Sequence, residues 1–162
     1  MLGPILFESD RIIVRPFHQE DILTFLAYRQ DKDIERYQGW KDYSLKYAQD
    51  FVEWACKSSI SAGKTQLALV LKETNTMFGD IYLNFEKTHI DLGYTCAIAY
   101  QKKGYMTEIL NVVLSQLYQD LHLTIRTEID VRNTDSIRLC ERLEFKQIDL
   151  VDGFVVMERN LE

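Results

Sequence analysis

Cysteine and proline are scarce in this sequence, and no long apolar run occurs in it. The three cysteines, Cys56, Cys96 and Cys140, include no C-x-x-C pair, which argues against both a disulfide framework and a zinc site. No stretch reaches the roughly 20 apolar residues of a membrane span, and the first residues lack the basic and apolar regions of a secretory signal. We therefore expect a single soluble, unprocessed cytoplasmic domain covering residues 1–162, without a membrane partner.

Positive charge is also in deficit, because 19 lysines and arginines face 25 acidic residues and the formal net charge is −6. A nucleic-acid surface needs clustered basic residues to replace counterions, so we expect no nucleic-acid partner. The acidic total instead favours a cationic or amine substrate. The histidines, His18, His89 and His122, are scattered without a nucleophile or further ligand at a recognisable spacing. We therefore predict neither a hydrolase triad nor a metal site.

Hydrophobic periodicity divides the chain into strand and helix segments. Strands are predicted at residues 11–16, 66–71, 77–85, 90–99, 123–131, 145–150 and 154–157. Helices are predicted to start at residues 19–21 and to cover residues 31–37, 44–58 with Ser44 as N-cap, 104–118 and 133–143. This order predicts a single α/β or α+β domain around a mixed sheet, with residues 90–131 forming a right-handed parallel crossover.

One junction carries more functional information than the rest of the pattern. The apolar strand that includes Gly93 breaks into a short turn, Gln101 to Gly104, which opens directly into an amphipathic helix. The first N–H groups of a helix have no intrahelical partners, and with the helix dipole they form a natural phosphate site. The alternative for this turn is a lysine-rich surface loop followed by an ordinary helix.

Three segments together resemble the GNAT acetyltransferase superfamily, particularly its RimJ/RimL-like branch. They are the strand at residues 11–15 with the Glu20-Asp21 helix start, the turn at Gln101, and residues 133–145. The resemblance implies a largely antiparallel central sheet of six to seven strands flanked by helices. It implies an acetyl-coenzyme A-dependent N-acetyltransferase, in which a primary amine attacks the thioester directly. The amine would belong to a protein N-terminus or a small molecule, and the enzyme would be a monomer or homodimer.

In that family the turn reads Gln/Arg-x-x-Gly-x-Gly/Ala, and this chain has Met106 where a small residue is usual. The resemblance implies that the turn's backbone N–H groups bind the coenzyme A pyrophosphate and that no metal takes part. Gly104 would allow close approach of the phosphate. Met106 would either crowd that approach or point into the core. The residues implied are Gln101, Lys102, Lys103, Gly104, Tyr105, Met106 and Thr107.

The resemblance assigns further residues to the cofactor arm. Cys96, Ala97 and Ile98 would lie on a strand that splays from its neighbour, where free backbone groups hold the pantetheine and polarise the thioester. The alternative is a plain buried strand. Asn133 would contact the cofactor arm and Ser136 would lie near it, while the alternative for this pair is a helix cap.

The catalytic groups are less well defined by the sequence. Many family members have a tyrosine seven positions after the asparagine that corresponds to Asn133, where it acts as general acid. This chain has Cys140 at that position. Cys140 is either a possible general acid or a small buried residue. The family's glycine before Phe145 is replaced by Glu144, which bears on the local turn geometry. Trp40, in a break between two helices, is predicted to face the substrate. The candidates for the base are Glu35, Glu86, Asp91 and Tyr82.

A second function remains open from the sequence. A GNAT-fold protein could bind coenzyme A as a sensor or interaction module without transferring an acetyl group. Met106, Cys140 and Glu144, the departures from the family pattern, support this alternative.

Overall fold

An eight-stranded mixed sheet forms the centre of the fold in the computed structural model, which describes residues 4–160. The strands are β1 Phe7–Glu8, β2 Ile12–Pro16, β3 Lys64–Leu71, β4 Thr76–Phe85, β5 His89–Cys96, β6 Thr124–Asp130, β7 Lys146–Val151 and β8 Phe154–Arg159. The helices are α1 Ile22–Arg29, α2 Lys32–Glu35, α3 Leu45–Lys57, α4 Tyr105–Leu121 and α5 Thr134–Arg142. Short 3₁₀ turns lie at Gln19–Asp21, Ile60–Ala62 and Ile98–Tyr100.

The sheet order is β1-β2-β3-β4-β5-β6-β8-β7, and every neighbouring pair is antiparallel except β5 and β6. The predicted α/β class and the parallel pairing across the β5–α4–β6 crossover are confirmed. The sheet has eight strands rather than the predicted six to seven. The additional strand is Phe7–Glu8, which pairs with Val14 and Ile13 of β2 and is too short to produce a periodic pattern in the sequence.

The two faces of the sheet carry separate cores. Alternate residues of β3 point to opposite faces, so Leu67 and Leu69 join the α4 side while Ala68 and Val70 join the side of α1 and α3. The predicted buried stripe of α4 is confirmed, at Ile109, Leu110, Val113, Leu114 and Leu117. The predicted N-cap of α3 is confirmed as well, because Ser44 Oγ accepts from the Tyr47 N–H at 3.1 Å.

The parallel pair β5 and β6 stays together for only part of its length. His89, Ile90 and Asp91 pair with residues 124–126, and beyond that point the two strands separate while each continues. At the separation, Thr127 Oγ1 donates to the Leu92 carbonyl at 2.8 Å. The carboxyl ends of the two strands therefore diverge and open a cleft in the sheet.

The predicted strand at residues 90–99 is wrong at its carboxyl end. The strand stops at Cys96, and Ile98 begins a 3₁₀ turn. Ala97 N–H donates to the Phe78 carbonyl at 2.8 Å and Gln101 N–H donates to the Ile98 carbonyl at 3.1 Å. Ala97 and Ile98 therefore belong to the connection between β5 and α4: Ala97 is still bonded to β4, and the 3₁₀ turn that begins at Ile98 leads the chain away from the sheet.

The end of α5 keeps a left-handed turn although it lacks glycine. Glu144 has φ +69°, its N–H donates to the Glu141 carbonyl at 3.0 Å, and Phe145 N–H donates to the Cys140 carbonyl at 2.9 Å. These two bonds form the motif in which glycine commonly terminates a helix. The glutamate therefore does not alter the turn geometry, but it adopts a backbone conformation that strains a side chain with a Cβ.

Replacing Glu144 with glycine is expected to stabilise the protein by about 1 kcal/mol, because glycine adopts a positive φ without steric penalty. Urea denaturation would measure the free energy of unfolding. Glu141→Gly is the matched control, since the same replacement inside the helix should destabilise the protein by about 1 kcal/mol. A Glu144→Gly variant less stable than the wild type would show that the glutamate side chain itself stabilises the turn.

Candidate active site

A cavity of about 390 Å³ lies where β5 and β6 diverge. Its wall is formed by the end of β5, the turn before α4, the start of α5 and residues from the region of α2. Most of the residues predicted for the cofactor line this cavity, namely Cys96, Ile98, Gln101, Lys102, Gly104, Tyr105, Met106, Thr107, Asn133 and Ser136. Ala97, Lys103, Cys140 and Trp40 are not among the lining residues.

The turn before α4 offers backbone donors to this cavity. The N–H groups of residues 102–107 make no hydrogen bond with the part of the chain that the structure describes. Gln101 differs, because its N–H is bonded to the Ile98 carbonyl and its side-chain Nε2 donates to the Cys96 carbonyl at 2.9 Å. Gln101 therefore fastens the turn to the end of β5, and the free donors begin at Lys102.

The two turn positions that the sequence singled out have different constraints. Gly104 has φ +80°, and an added Cβ would meet only Arg11 Nη2, at 3.7 Å. Glycine is favoured there by its backbone conformation rather than by crowding from the protein. Met106 is buried within the core on the α4 side and also borders the cavity. Of the two alternatives for Met106, the structure therefore has the side chain in the core.

Arg11 and Glu108 hold the start of α4 against the loop between β1 and β2, which the sequence did not indicate. Arg11 Nε lies 2.7 Å from Glu108 Oε1, Ser9 Oγ donates to Glu108 Oε2 at 2.6 Å, and the Arg11 guanidinium stacks 4.5 Å above the Tyr105 ring. Partial burial raises the pKa of Glu108, but the hydrogen bonds from Ser9 and Arg11 outweigh it and lower the pKa. The carboxylate therefore stays charged and keeps the turn in place.

Tyr94 is a side chain of the cavity wall that sequence reasoning missed. Its hydroxyl lies 2.6 Å from Ser136 Oγ and 3.3 Å from Cys140 Sγ. Tyr94 and Ser136 line the cavity, whereas Cys140 is fully buried behind them. These partners lie 42 and 46 positions away in the sequence, so no local pattern connects them. A phenol therefore occupies the place beside the cavity where the sequence suggested a thiol.

Burial keeps these groups protonated at neutral pH. It raises the pKa of Tyr94 well above its usual value. It also raises the pKa of Cys140 to about 11, although the hydrogen bond with Tyr94 acts in the opposite direction. Burial raises the pKa of Cys96 to about 12, with a further contribution from the Asp80 carboxylate. The region around the cavity therefore has proton donors and no thiolate nucleophile.

Asn133 has the capping role that was one of its two sequence alternatives. Its Oδ1 accepts from the Ser136 N–H at 3.3 Å at the start of α5, and its side chain also lies in the cavity wall. The cap orients the first turn of α5 and so places Ser136 Oγ beside Tyr94. Capping and a position at the cavity are therefore compatible for this residue.

A second cavity of about 420 Å³ adjoins the first on the face of the sheet that carries α1 and α3. The two share Gln38, Tyr94 and Thr95 in their walls. Trp40 lines the second cavity, and its indole Nε1 donates to the Arg29 carbonyl at 3.0 Å. Among the sequence candidates for the base, the side chain that lines this cavity is Tyr82. The other three, Glu35, Glu86 and Asp91, line neither cavity.

Residues 4–160 contain neither a candidate metal site nor a candidate membrane span. No cluster of three or more histidine, cysteine, aspartate or glutamate side chains in that range could hold a metal ion. None of the helices in the same range is both long and apolar enough to cross a membrane.

The chain matches one protein family and is similar to several solved structures. Residues 11–146 match the family described as acetyltransferase (GNAT) domain. No curated protein matches the chain. An acetyltransferase (GNAT family) from Bacillus anthracis superposes with a TM-score of 0.85 at 18% identity, covering 96% of this chain and 98% of that one.

Two further solved structures are of acetyltransferases named for ribosomal proteins. The ribosomal-protein-S5-alanine acetyltransferase from Vibrio fischeri has a TM-score of 0.76 at 17% identity, covering 95% of each chain. The RimL ribosomal L7/L12 alpha-N-protein acetyltransferase in complex with coenzyme A has a TM-score of 0.80 at 14% identity, covering 98% of each chain. At these identities the structures show a common fold.

The cysteines provide a test of the burial described above. With a pKa of about 11, roughly one Cys140 thiol in a thousand is ionised at pH 8. We expect iodoacetamide to modify the more exposed Cys56 first and Cys140 much more slowly, because the Cys140 thiol is fully buried and protonated. Mass spectrometry would follow each site, with the urea-unfolded protein as control. Alkylation of Cys140 at pH 8 as fast as that of Cys56 would contradict the buried, protonated thiol.

Proposed function

The chain belongs to the acetyltransferase (GNAT) domain family, and from this premise we propose that it is an acetyl-coenzyme A-dependent N-acetyltransferase of the RimJ/RimL-like branch, acting on a primary amine. The observation that carries the proposal is the meeting of two cavities at Tyr94 and Thr95. One cavity has the free N–H groups of the turn, and the other has an aromatic wall. A cofactor in the first and an amine in the second would meet at the end of β5.

The first cavity fits coenzyme A by the chemistry of its donors. The N–H groups of residues 102–107 and the side chain of Lys102 would bind the pyrophosphate. The divergent end of β5, at Cys96, leaves backbone groups unpaired with β6 for the pantetheine arm, and Asn133 lies on the opposite wall. Ala97, Ile98, Lys103 and Ser136 complete the proposed contacts. When bound, acetyl-coenzyme A supplies a thioester whose carbonyl carbon accepts the amine.

Acetyl transfer requires a group that accepts a proton from the amine and a group that donates one to the leaving sulfur. Formation of the N–C bond and cleavage of the C–S bond require the amine to lose a proton and the sulfur to gain one. Tyr94 keeps its proton at neutral pH, lines the cavity and is bonded to Ser136 Oγ, so we assign it as the donor to the leaving sulfur. Ser136 can return a proton to the phenol, because a hydroxyl both donates and accepts.

Cys140 has a different role in this proposal. Its Sγ lies 3.3 Å from the Tyr94 hydroxyl but outside the cavity wall. We therefore propose that Cys140 orients the phenol, as a positioning residue, instead of donating to the sulfur directly. For the base we propose water. The candidate from the sequence that lines the second cavity, Tyr82, has no carboxylate. The carboxylate in the wall of that cavity, Asp80, is already bonded to Arg29 and Gln66.

Two measurements test the function. Calorimetry with acetyl-coenzyme A should show binding, and absence of binding would refute every coenzyme A-dependent function. Release of free thiol in the presence of amines and N-terminal peptides should exceed the hydrolysis background. Binding without any release would support the sensor function instead.

Gly104→Val is expected to weaken coenzyme A binding at least tenfold. A β-branched side chain at φ +80° shifts the turn and blocks the donors of residues 102–107. Gly153→Val is the matched control, because Gly153 has φ +83° at the tip of the β7–β8 hairpin, outside both cavities. Calorimetry would give both dissociation constants. Equal weakening in the two variants would mean that the loss reflects stability rather than the turn.

Tyr94→Phe is expected to lower kcat about a hundredfold at an unchanged dissociation constant for coenzyme A, because the proton donor is removed while the ring remains. Cys140→Ala should lower kcat less than tenfold, since the phenol is still present. Steady-state thiol release and calorimetry would separate turnover from binding. If Cys140→Ala abolished turnover and Tyr94→Phe did not, the thiol rather than the phenol would be the acid.

A further inference from the structure

We propose that the second cavity accepts a polypeptide N-terminus with an acidic side chain at its second or third position, which pairs with Lys64. This inference rests on the acetyltransferase function proposed above and specifies its substrate class. It runs against the net charge of −6, which by itself favours a cationic substrate. The local charges of the cavity carry the argument.

The carboxylate in the cavity wall has no capacity left for a substrate ammonium. Asp80 is 1% exposed, and it is the acidic residue among those that line the second cavity. Its Oδ1 accepts from Gln66 Nε2 at 2.6 Å and from Arg29 Nη2 at 3.1 Å. Its Oδ2 accepts from the Tyr28 hydroxyl and from Arg29 Nη2 at 3.3 Å. A carboxylate has about four acceptor sites, so these bonds saturate Asp80 and a polycation gains no partner there.

The guanidinium at the inner end of the cavity still has donor capacity. Arg29 is 6% exposed and stacks 3.8 Å from the Trp40 ring and 4.6 Å from the Phe25 ring. Both of its hydrogen bonds come from Nη2 to Asp80, and its buried Nε has no partner among the described residues. Buried donors are normally bonded. Because that Nε is shielded inside the protein, a substrate in the cavity meets Arg29 as a positive charge in the wall.

The outer end of the cavity carries an unpaired cation. Lys64 is exposed, and its Nζ lies 5.9 Å from the centre of the Trp54 ring and 5.7 Å from that of Tyr82. Within the described part of the chain, no carboxylate lies within the 4.0 Å of an ion pair with this ammonium. The faces of the two rings hold the ammonium by cation–π contacts at the mouth of the cavity. The position therefore suits an anionic group of the substrate.

The strand register measures the distance between the two ends. Thr95, at the junction of the cavities, lies opposite Asp80, whereas Lys64 lies opposite Asn84. The four steps along β4 from Asp80 to Asn84 span about 13 Å at about 3.3 Å per residue. A free α-amino acid, with its carboxylate one carbon from its amine, cannot reach both ends. An extended peptide advances about 3.3–3.6 Å per residue, so its second or third side chain reaches Lys64.

Intrinsic fluorescence tests this directly, because Trp40 and Trp54 are the two tryptophans of the sequence and both line the second cavity. Three otherwise identical hexapeptides with aspartate, asparagine or lysine at position 3 would be titrated into the wild-type protein with coenzyme A. We expect the aspartate peptide to bind at least tenfold more tightly than the asparagine peptide. The lysine peptide should bind more weakly than both.

Charge variants locate the effect. In Lys64→Gln the preference for aspartate should disappear, and in Lys64→Glu it should reverse. Lys46→Gln is the matched control, since Lys46 pairs with Asp50 on α3 and lies outside the cavity, so the preference should remain. A lysine peptide that binds the wild-type protein as tightly as the aspartate peptide would overturn the inference, because Lys64 would then not select the charge of the substrate. Aspartate preference retained in Lys64→Gln would overturn it as well.

The catalytic assay separates this inference from the function on which it rests. The same peptides, together with glutamate and spermidine, would be compared by kcat/KM in the thiol-release assay. We expect the aspartate peptide to lead by about tenfold and this lead to shrink with added salt. A higher value for glutamate or spermidine would overturn the substrate class and leave the acetyltransferase standing. Aspartate-selective fluorescence binding without thiol release would overturn the acetyltransferase and leave the recognition of acidic peptides standing.

Discussion

The separation of β5 from β6 is the constraint on which the rest of the structure depends. The strands pair only through residues 89–91 and 124–126, and the cavity at their diverging ends exists because the sheet stops being continuous there. β5 remains held to β4 instead. At Gly79 of β4, a side-chain carbon would overlap the Thr95 carbonyl oxygen. The absence of a side chain at that position therefore lets β5 follow β4 to Cys96 while it leaves β6.

This geometry brings together groups that no single element contains. The end of β5 contributes Tyr94, the start of α5 contributes Ser136, and the turn before α4 contributes the free N–H groups. Each element is oriented by its own polar contact: Gln101 ties the turn to Cys96, and Asn133 caps α5. The fold therefore aligns donors for an anion and donors for a proton on two sides of one cleft.

The buried polar network on the α1 side has a comparable organising effect. Asp80 on β4 joins Tyr28 and Arg29 of α1 with Gln66 of β3. Burial, together with the Asp80 charge, raises the pKa of Tyr28 well above its usual value, so the phenol remains a donor to the carboxylate. Because a charge pair in a core is costly unless its hydrogen bonds are satisfied, the network ties α1 to the sheet in one arrangement. Since Asp80 and Arg29 pair with each other, the ammonium of Lys64 is the excess positive charge among the residues that line the second cavity.

The sequence by itself determined the class of fold and most of its elements, because the periodicity of apolar residues is a local property. It located the turn at Gly104 and the cap at Ser44, since both depend on residue type at a fixed offset along the chain. It did not reveal the two-residue strand β1 or the end of β5 at Cys96, which depend on hydrogen bonds to distant segments.

The site shows the same division more sharply. A tyrosine on β5 meets a serine and a cysteine on α5 only after the crossover has folded. The saturation of Asp80 and the unpaired ammonium of Lys64 are likewise properties of packing rather than of residue type. Tertiary structure alone decided which protons are available and which charges are free, because burial and hydrogen bonding are set by neighbours that lie far apart in the chain.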